Sequence, residues 1–158
     1  MVVSSAWHYT AAMTIPVSVL LAISLSGSAV AVEKKIQRKD LPAAVQTAVQ
    51  QEESNGATVK NIVAEKEGGK TVYEVEMTVR GHTRDLLFDA SGTVIETEEE
   101  VSLDAVPAPV KAALEARGTV VKVEVVTKGA NVTYEGQIEK NGKKSEVAVD
   151  AAGRRIKG

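Results

Sequence analysis

Beyond residue 32 the apolar positions follow two rhythms, and each rhythm occurs twice. Leu41, Val45, Ala48 and Val49 recur at i, i+4, i+7 and i+8, one stripe along a helix. The period then drops from about 3.6 to 2 residues. Tyr73, Val75, Met77 and Val79 alternate with Glu74, Glu76 and Thr78, which predicts a strand with one face buried. Ile62 and Ala64 predict a strand before it, Leu86 and Phe88 one after it, and Val94 to Glu98 a weak last one. Gly68-Gly69, Arg80-Gly81 and Asp89-Ala90-Ser91-Gly92 supply the turns.

The same order returns downstream. Residues 58–96 align with 119–157 at a constant offset of 61, placing Tyr73-Glu74 on Tyr134-Glu135, Gly81 on Gly142 and Asp89-Ala90 on Asp150-Ala151. Leu41-Pro42 matches Val106-Pro107 at an offset of 65, so the second helix, with Val106, Val110, Ala113 and Leu114, is one turn shorter. Asp40 and Asp104 stand where N-caps belong, Pro42 and Pro107 suit a first turn, and Gly56 and Gly118 suit helix ends. The later strands are marked by Val123 and Val125, Tyr134 and Ile138, Val147 and Val149, and a weak Arg155 to Lys157, with turns at Gly129, Asn141-Gly142 and Asp150 to Gly153. The expectation is an α+β fold of two tandem α-β-β-β-β units, each with its helix packed on one face of an antiparallel sheet. The opposite face of each sheet should meet water. Units of about 60 residues are marginal alone, and the short link from Glu98 to Asp104 requires them to pack together.

Residues 1–32 carry none of the 19 basic and 21 acidic side chains. The apolar run from Ala11 to Leu25 leads into Ser26-Gly27-Ser28-Ala29-Val30-Ala31, whose A-x-A pattern reads as an export signal cleaved after Ala31. Thr14, Pro16 and Ser18 interrupt a run already short for the roughly 20 residues of a membrane span, so no stable span is expected. Met1 to Thr10 lacks the usual Lys or Arg, which leaves an uncleaved anchor as the alternative. The expected organisation is a signal peptide over 1–31, a first unit over 32–100 and a second over 101–158, in a periplasmic or secreted protein.

Composition then closes several doors. The chain has no cysteine, which excludes disulfides, thiol catalysis and thiolate metal centres. A net charge of −2 argues against nucleic acid, and two histidines, His8 and His82, cannot build a histidine-rich metal site. No cofactor motif is present. His82 with Asp85 three residues on suggests catalysis, with Ser91 or Ser145 as nucleophile, but no strained serine turn accompanies them. His82 reads as an exposed turn residue. Asp89 to Gly92 lacks the acidic spacing of a calcium loop and reads as a hairpin turn. Asn131-Val132-Thr133 fits a glycosylation sequon without further support for that route.

The water-facing parity of the first sheet is more informative. It collects Glu65, Glu74, Glu76, Asp85, Glu96 and Glu98, with Arg80 as its one basic residue. Like charges across strands destabilise, so this face is either a solvated surface or a binding face for a basic partner or a weakly held divalent cation. Residues 33–100 carry 14 acids and 9 bases, a net of −5, whereas residues 101–158 carry 7 acids and 10 bases, a net of +3. That polarity can steer the halves against each other or against a partner.

Leu41-Pro42-Ala43-Ala44-Val45 and Val106-Pro107-Ala108-Pro109-Val110, the Tyr-Glu strands, and the Asp-Ala-x-Gly strand ends together resemble the PepSY-like family. The resemblance covers residues 39–158 and includes the tandem version of the family named for similarity to β-lactamase inhibitor proteins. It implies helix-on-sheet units and an exported, non-enzymatic module that binds or inhibits an extracytoplasmic protein such as a peptidase or β-lactamase. An envelope sensor or ion-binding scaffold is the alternative, and a hydrolase the third reading.

Overall fold

The computed structural model describes residues 33–156. The expected signal segment, 1–31, and Lys157 lie outside the described residues. The chain runs β1 (Lys34–Lys35), a 3-10 turn (Arg38–Asp40), α1 (Ala43–Ser54), β2 (Thr58–Glu67), β3 (Lys70–Val79), β4 (His82–Phe88) and β5 (Val94–Glu100). A second 3-10 turn (Leu103–Ala105), α2 (Ala108–Glu115), β6 (Thr119–Lys128), β7 (Asn131–Lys140) and β8 (Lys143–Val149) follow. The α+β class and the helix-then-meander order are as the periodicity predicts.

The sheet differs from expectation. All eight strands form one antiparallel sheet in sequence order, not one sheet per unit. β5 and β6 pair from Glu96↔Lys128 to Glu100↔Glu124, which makes the link between the halves a β-connection spanning α2. The expected weak last strand, Arg155 to Lys157, is reduced among the described residues to a single bridge, Val149↔Arg155, and the short β1 adds to the other edge. Both helices lie on the same side of this sheet over separate cores. Leu41, Val45 and Val49 of the first helical stretch meet Ile62, Val75, Met77, Leu86 and Phe88. Val106, Val110 and Leu114 meet Val123, Ile138, Val147 and Val149. Tyr73 and Tyr134 pack against these cores, so the three aromatics of the described residues all sit on the helix side.

The helix starts also need correction. Asp40 and Asp104 belong to the 3-10 turns, and the N-caps are Pro42 and Pro107. A residue before proline is pushed out of the helical region, so Leu41 (ψ 150°) and Val106 (ψ 158°) stay extended and separate each turn from its helix. The Asp40 carboxylate accepts from the Gln37 amide, and Asp104 pairs with Lys111 at 2.6 Å. The one-turn difference is real: α1 has 12 residues and α2 has 8. Its consequence is visible in the cores, where Leu114 presses against Gly136 while the matching positions of the first half are Val49 and Val75.

The recurring Asp-Ala-x-Gly is a docking device for the helices. Asp89 Oδ1 accepts from the amides of Ser91 and Thr93, and Asp150 Oδ1 accepts from those of Ala152 and Arg154. Gly92 (φ +83°) and Gly153 (φ +76°) then lie so close to α1 and α2 that a Cβ would meet Ala44 C at 2.8 Å and would run into Pro109 O. Either Gly→Ala change therefore combines left-handed strain with a clash against helix backbone, and each should destabilise by about 2–4 kcal/mol in urea unfolding. A loss below about half a kilocalorie per mole would show that the helices are not seated on these turns.

Candidate functional site: the carboxylate face

The strand side away from the helices carries a band of acids that crosses the whole sheet. Cross-strand register gives one row Glu76↔Asp85↔Glu98 and another Glu100↔Glu124↔Glu135. Glu74 stands opposite Leu87, and Leu87 opposite Glu96. Each strand contributes alternate residues to one face, which is why Glu74 and Glu76, or Glu96, Glu98 and Glu100, arrive together. All six expected residues, Glu65, Glu74, Glu76, Asp85, Glu96 and Glu98, therefore share this face. A shallow depression lined by Glu74, Asp85, Leu87, Glu96 and Glu98 lies at its centre.

The expectation that this face is freely solvated fails. Glu65, Glu74 and Glu135 are no more than 9% exposed. Their neighbours on the pleat, together with Val72, Leu87, Val126 and Ala148, crowd them. Burial is the leading cause of a rise in pKa that takes Glu74 to about 8, with Asp85 and Glu65 as the nearest repelling charges. Burial likewise lifts Glu98 to about 8, with Glu124 and Glu135 adding repulsion. Asp85 reaches about 7 through burial and the charges of Glu76 and Glu124, and Glu135 about 7 through burial, Glu146 and Glu124. Burial also raises Glu65 and Glu146. A dense row of carboxyls in reduced dielectric cannot all ionise together, so this face gains charge across the neutral range.

Reading the first sheet alone misses part of this face. Glu135 and Glu146 are the repeat partners of Glu74 and Asp85 at offset 61, so the alignment already holds the signal for them. Glu124, by contrast, matches Val63, and only the β5–β6 pairing brings it to Glu98 and Asp85. Arg80 is not the basic residue of the face; it occupies the β3–β4 turn with φ +51°. Its place is taken by two lysines of β6. Lys128 Nζ lies 3.0 Å from Glu67 and 2.8 Å from Glu96, and Lys122 Nζ lies 2.6 Å from Glu124.

The nucleophilic reading does not assemble. His82 is exposed at the start of β4, whereas Ser91 lies beyond its far end, about 20 Å away at strand rise. Ser145 lies on β8, four strands from β4 or about 19 Å. The Ser91 hydroxyl is engaged by Asp89 within its turn.

These features define a class: two helices on one face of a continuous antiparallel meander whose other face is an acidic platform. Residues 26–96 and 73–157 both match the family described as "Putative beta-lactamase-inhibitor-like, PepSY-like", and the chain belongs to that family. Among solved structures it is similar to one from Bacteroides eggerthii titled among "putative periplasmic proteins", at 20% identity and TM-score 0.59, covering 74% of this chain and 86% of that one. It is also similar to a BLIP-like protein from Bacteroides fragilis, at 22% identity and TM-score 0.53, covering 74% and 84%. These likenesses establish the fold. No curated protein matches the chain. No described helix is long and apolar enough to cross a membrane.

Proposed function

We propose that the mature chain is an exported, non-enzymatic binding module that docks a Lys/Arg-rich segment of an extracytoplasmic protein on its carboxylate face. The observation that carries this reading is the crowding of Glu74, Asp85, Glu98 and Glu135 on a sheet face with no described layer above it. A basic segment supplies counter-charges that let these carboxyls ionise, so docking relieves repulsion that the free protein retains. Family membership and the BLIP-like fold relative support a protein target, with a peptidase or β-lactamase as the inhibitor-type candidates. The helix-side placement of Tyr73, Phe88 and Tyr134 makes recognition electrostatic, unlike an interface anchored on aromatics. The Ala11 to Leu25 run and the Ala29-x-Ala31 pattern support export.

Two dependences follow. Binding should weaken at least about tenfold between roughly 50 and 300 mM NaCl, and should be tighter at about pH 8 than at about pH 5.5 because Glu74, Asp85, Glu98 and Glu135 hold their protons at the lower pH. The direct test places a photo-crosslinking amino acid at Gln137, on the open face, or at Gln50, on α1, and expresses each chain in its native envelope. Adducts from position 137 alone, mapping to a basic segment and lost in the Glu74→Gln/Glu98→Gln variant, support the reading. Adducts from position 50, or adducts unchanged by the double substitution, contradict it.

A further inference from the structure

We infer that Asp85, Glu98 and Glu124 form a site for a hard divalent cation, of the Ca²⁺ class, at the junction of the two halves. Each residue comes from a different strand, β4, β5 and β6, and one carboxylate oxygen from each lies within 4.8 Å of the other two. Two oxygens bound to one Ca²⁺ at about 2.3–2.6 Å are at most about 5 Å apart, so a single ion can reach all three.

A second observation points the same way. Asp85 Oδ1 is shut off from solvent and meets no hydrogen-bond donor among the described residues. A buried carboxylate oxygen without a donor is costly. The Asp85 side chain stands beside two further carboxylates, and a cation is the partner that satisfies all of them together. Lys122 takes up one oxygen of Glu124, Oε1, at 2.6 Å, and leaves that side chain its other oxygen.

The donor set selects the ion. It consists of carboxylate oxygen alone, which suits Ca²⁺, Mg²⁺ or Mn²⁺ and disfavours the zinc and copper sites built on nitrogen and sulfur. Three side chains on an open face do not impose the near-ideal octahedron that Mg²⁺ demands, whereas Ca²⁺ accepts irregular geometry completed by water. Such a site belongs to the weak range of extracellular modules, with Kd of about 10⁻⁴–10⁻³ M. The bound ion would tie β4 and β5 of the first half to β6 of the second. This inference goes beyond the docking reading and does not rest on it, since the ion site needs no protein partner.

Thermal melts of the protein at about pH 8 test it. Addition of about 5 mM CaCl₂ should raise Tm by about 3–8 °C over NaCl at matched ionic strength. The rise should disappear in Glu124→Gln and persist in Glu65→Gln, which removes a carboxylate from the same face two strands away from Asp85. Should Glu124→Gln fail to fold, Asp85→Asn carries the same expectation. A rise no larger than that given by NaCl is screening alone and overturns the site. A calcium-specific rise that survives in Glu124→Gln or Asp85→Asn places the ion elsewhere and overturns the assignment.

Discussion

In low-salt buffer without divalent ions, the protein melts about 5–15 °C higher at pH 5 than at pH 8.5. The reason is the carboxylate face. Unfolded Asp and Glu titrate near pH 4, whereas in the fold burial first, and mutual repulsion second, raise Glu74 and Glu98 to about 8 and Asp85 and Glu135 to about 7. A raised pKa means that the folded state holds protons the unfolded state has released. The stabilisation is complete below the unfolded values and is lost as pH rises through the folded ones, so stability falls between about pH 4 and pH 8. A tenfold change in proton affinity between folded and unfolded states corresponds nominally to about 1.4 kcal/mol, but partial solvation and relaxation reduce the total for the face to about 2–4 kcal/mol. On the acid side, the half-buried Asp89 and Asp150 and the exposed Asp104 have lowered values through their hydrogen bonds, so their protonation sets the lower limit of the optimum. The Glu74→Gln/Glu98→Gln variant should flatten the slope and melt higher than the parent at pH 8.5. A melting temperature that rises from pH 5 to pH 8.5 would mean that the face is solvated after all.

Much of this architecture is legible in residue spacing. The Leu41-Val45-Val49 stripe, the Tyr73 to Val79 alternation and the offset of 61 are local patterns, and local patterns determine helices, strands and hairpins. The face parity of Glu65, Glu74, Glu76, Asp85, Glu96 and Glu98 follows from the same period of two. What spacing cannot supply is the pairing of β5 with β6, because Glu98↔Val126 and Glu100↔Glu124 are contacts across α2. That one pairing merges two expected sheets, delivers Glu124, Lys122 and Lys128 to the acidic face, and adds the charge of Glu124 to the crowding of Asp85 and Glu98. The helix starts depart from expectation for a different reason. Asp40 and Asp104 have the chemistry of caps, but the prolines two and three residues later hold the intervening backbone extended.

The second large effect comes from Phe88→Ala. Phe88 is 1% exposed in the first core, among Leu41, Val45, Val75 and Met77, and its truncation leaves a cavity that the flanking strands cannot close. The expected loss is about 3–5 kcal/mol. The informative part is how far that loss travels. The two cores share no buried residue, but the β5–β6 ladder joins them into one sheet, and Lys128 of β6 bridges Glu67 and Glu96 of the first half. Unfolding should therefore be a single transition. In urea titrations that follow Tyr134 fluorescence in a Tyr73→Phe background, Phe88→Ala should lower the midpoint as far as it does when Tyr73 is followed in a Tyr134→Phe background. A Tyr134 midpoint unmoved by Phe88→Ala would show two independently folding halves and would dissolve the shared face.

The central claim is that carboxylates from both halves form one crowded, partly neutral face, and carbon-detected NMR titration of the Glu and Asp side-chain carboxyls tests it residue by residue. The account predicts midpoints near pH 8 for Glu74 and Glu98 and near pH 7 for Asp85 and Glu135. It also predicts that Glu124→Gln, in the second half, lowers the midpoints of Asp85 and Glu98 in the first, because Glu124 is a repelling charge on both. Midpoints clustered near the ordinary carboxylate value of about pH 4 for all four groups, unaltered by Glu124→Gln, would contradict it.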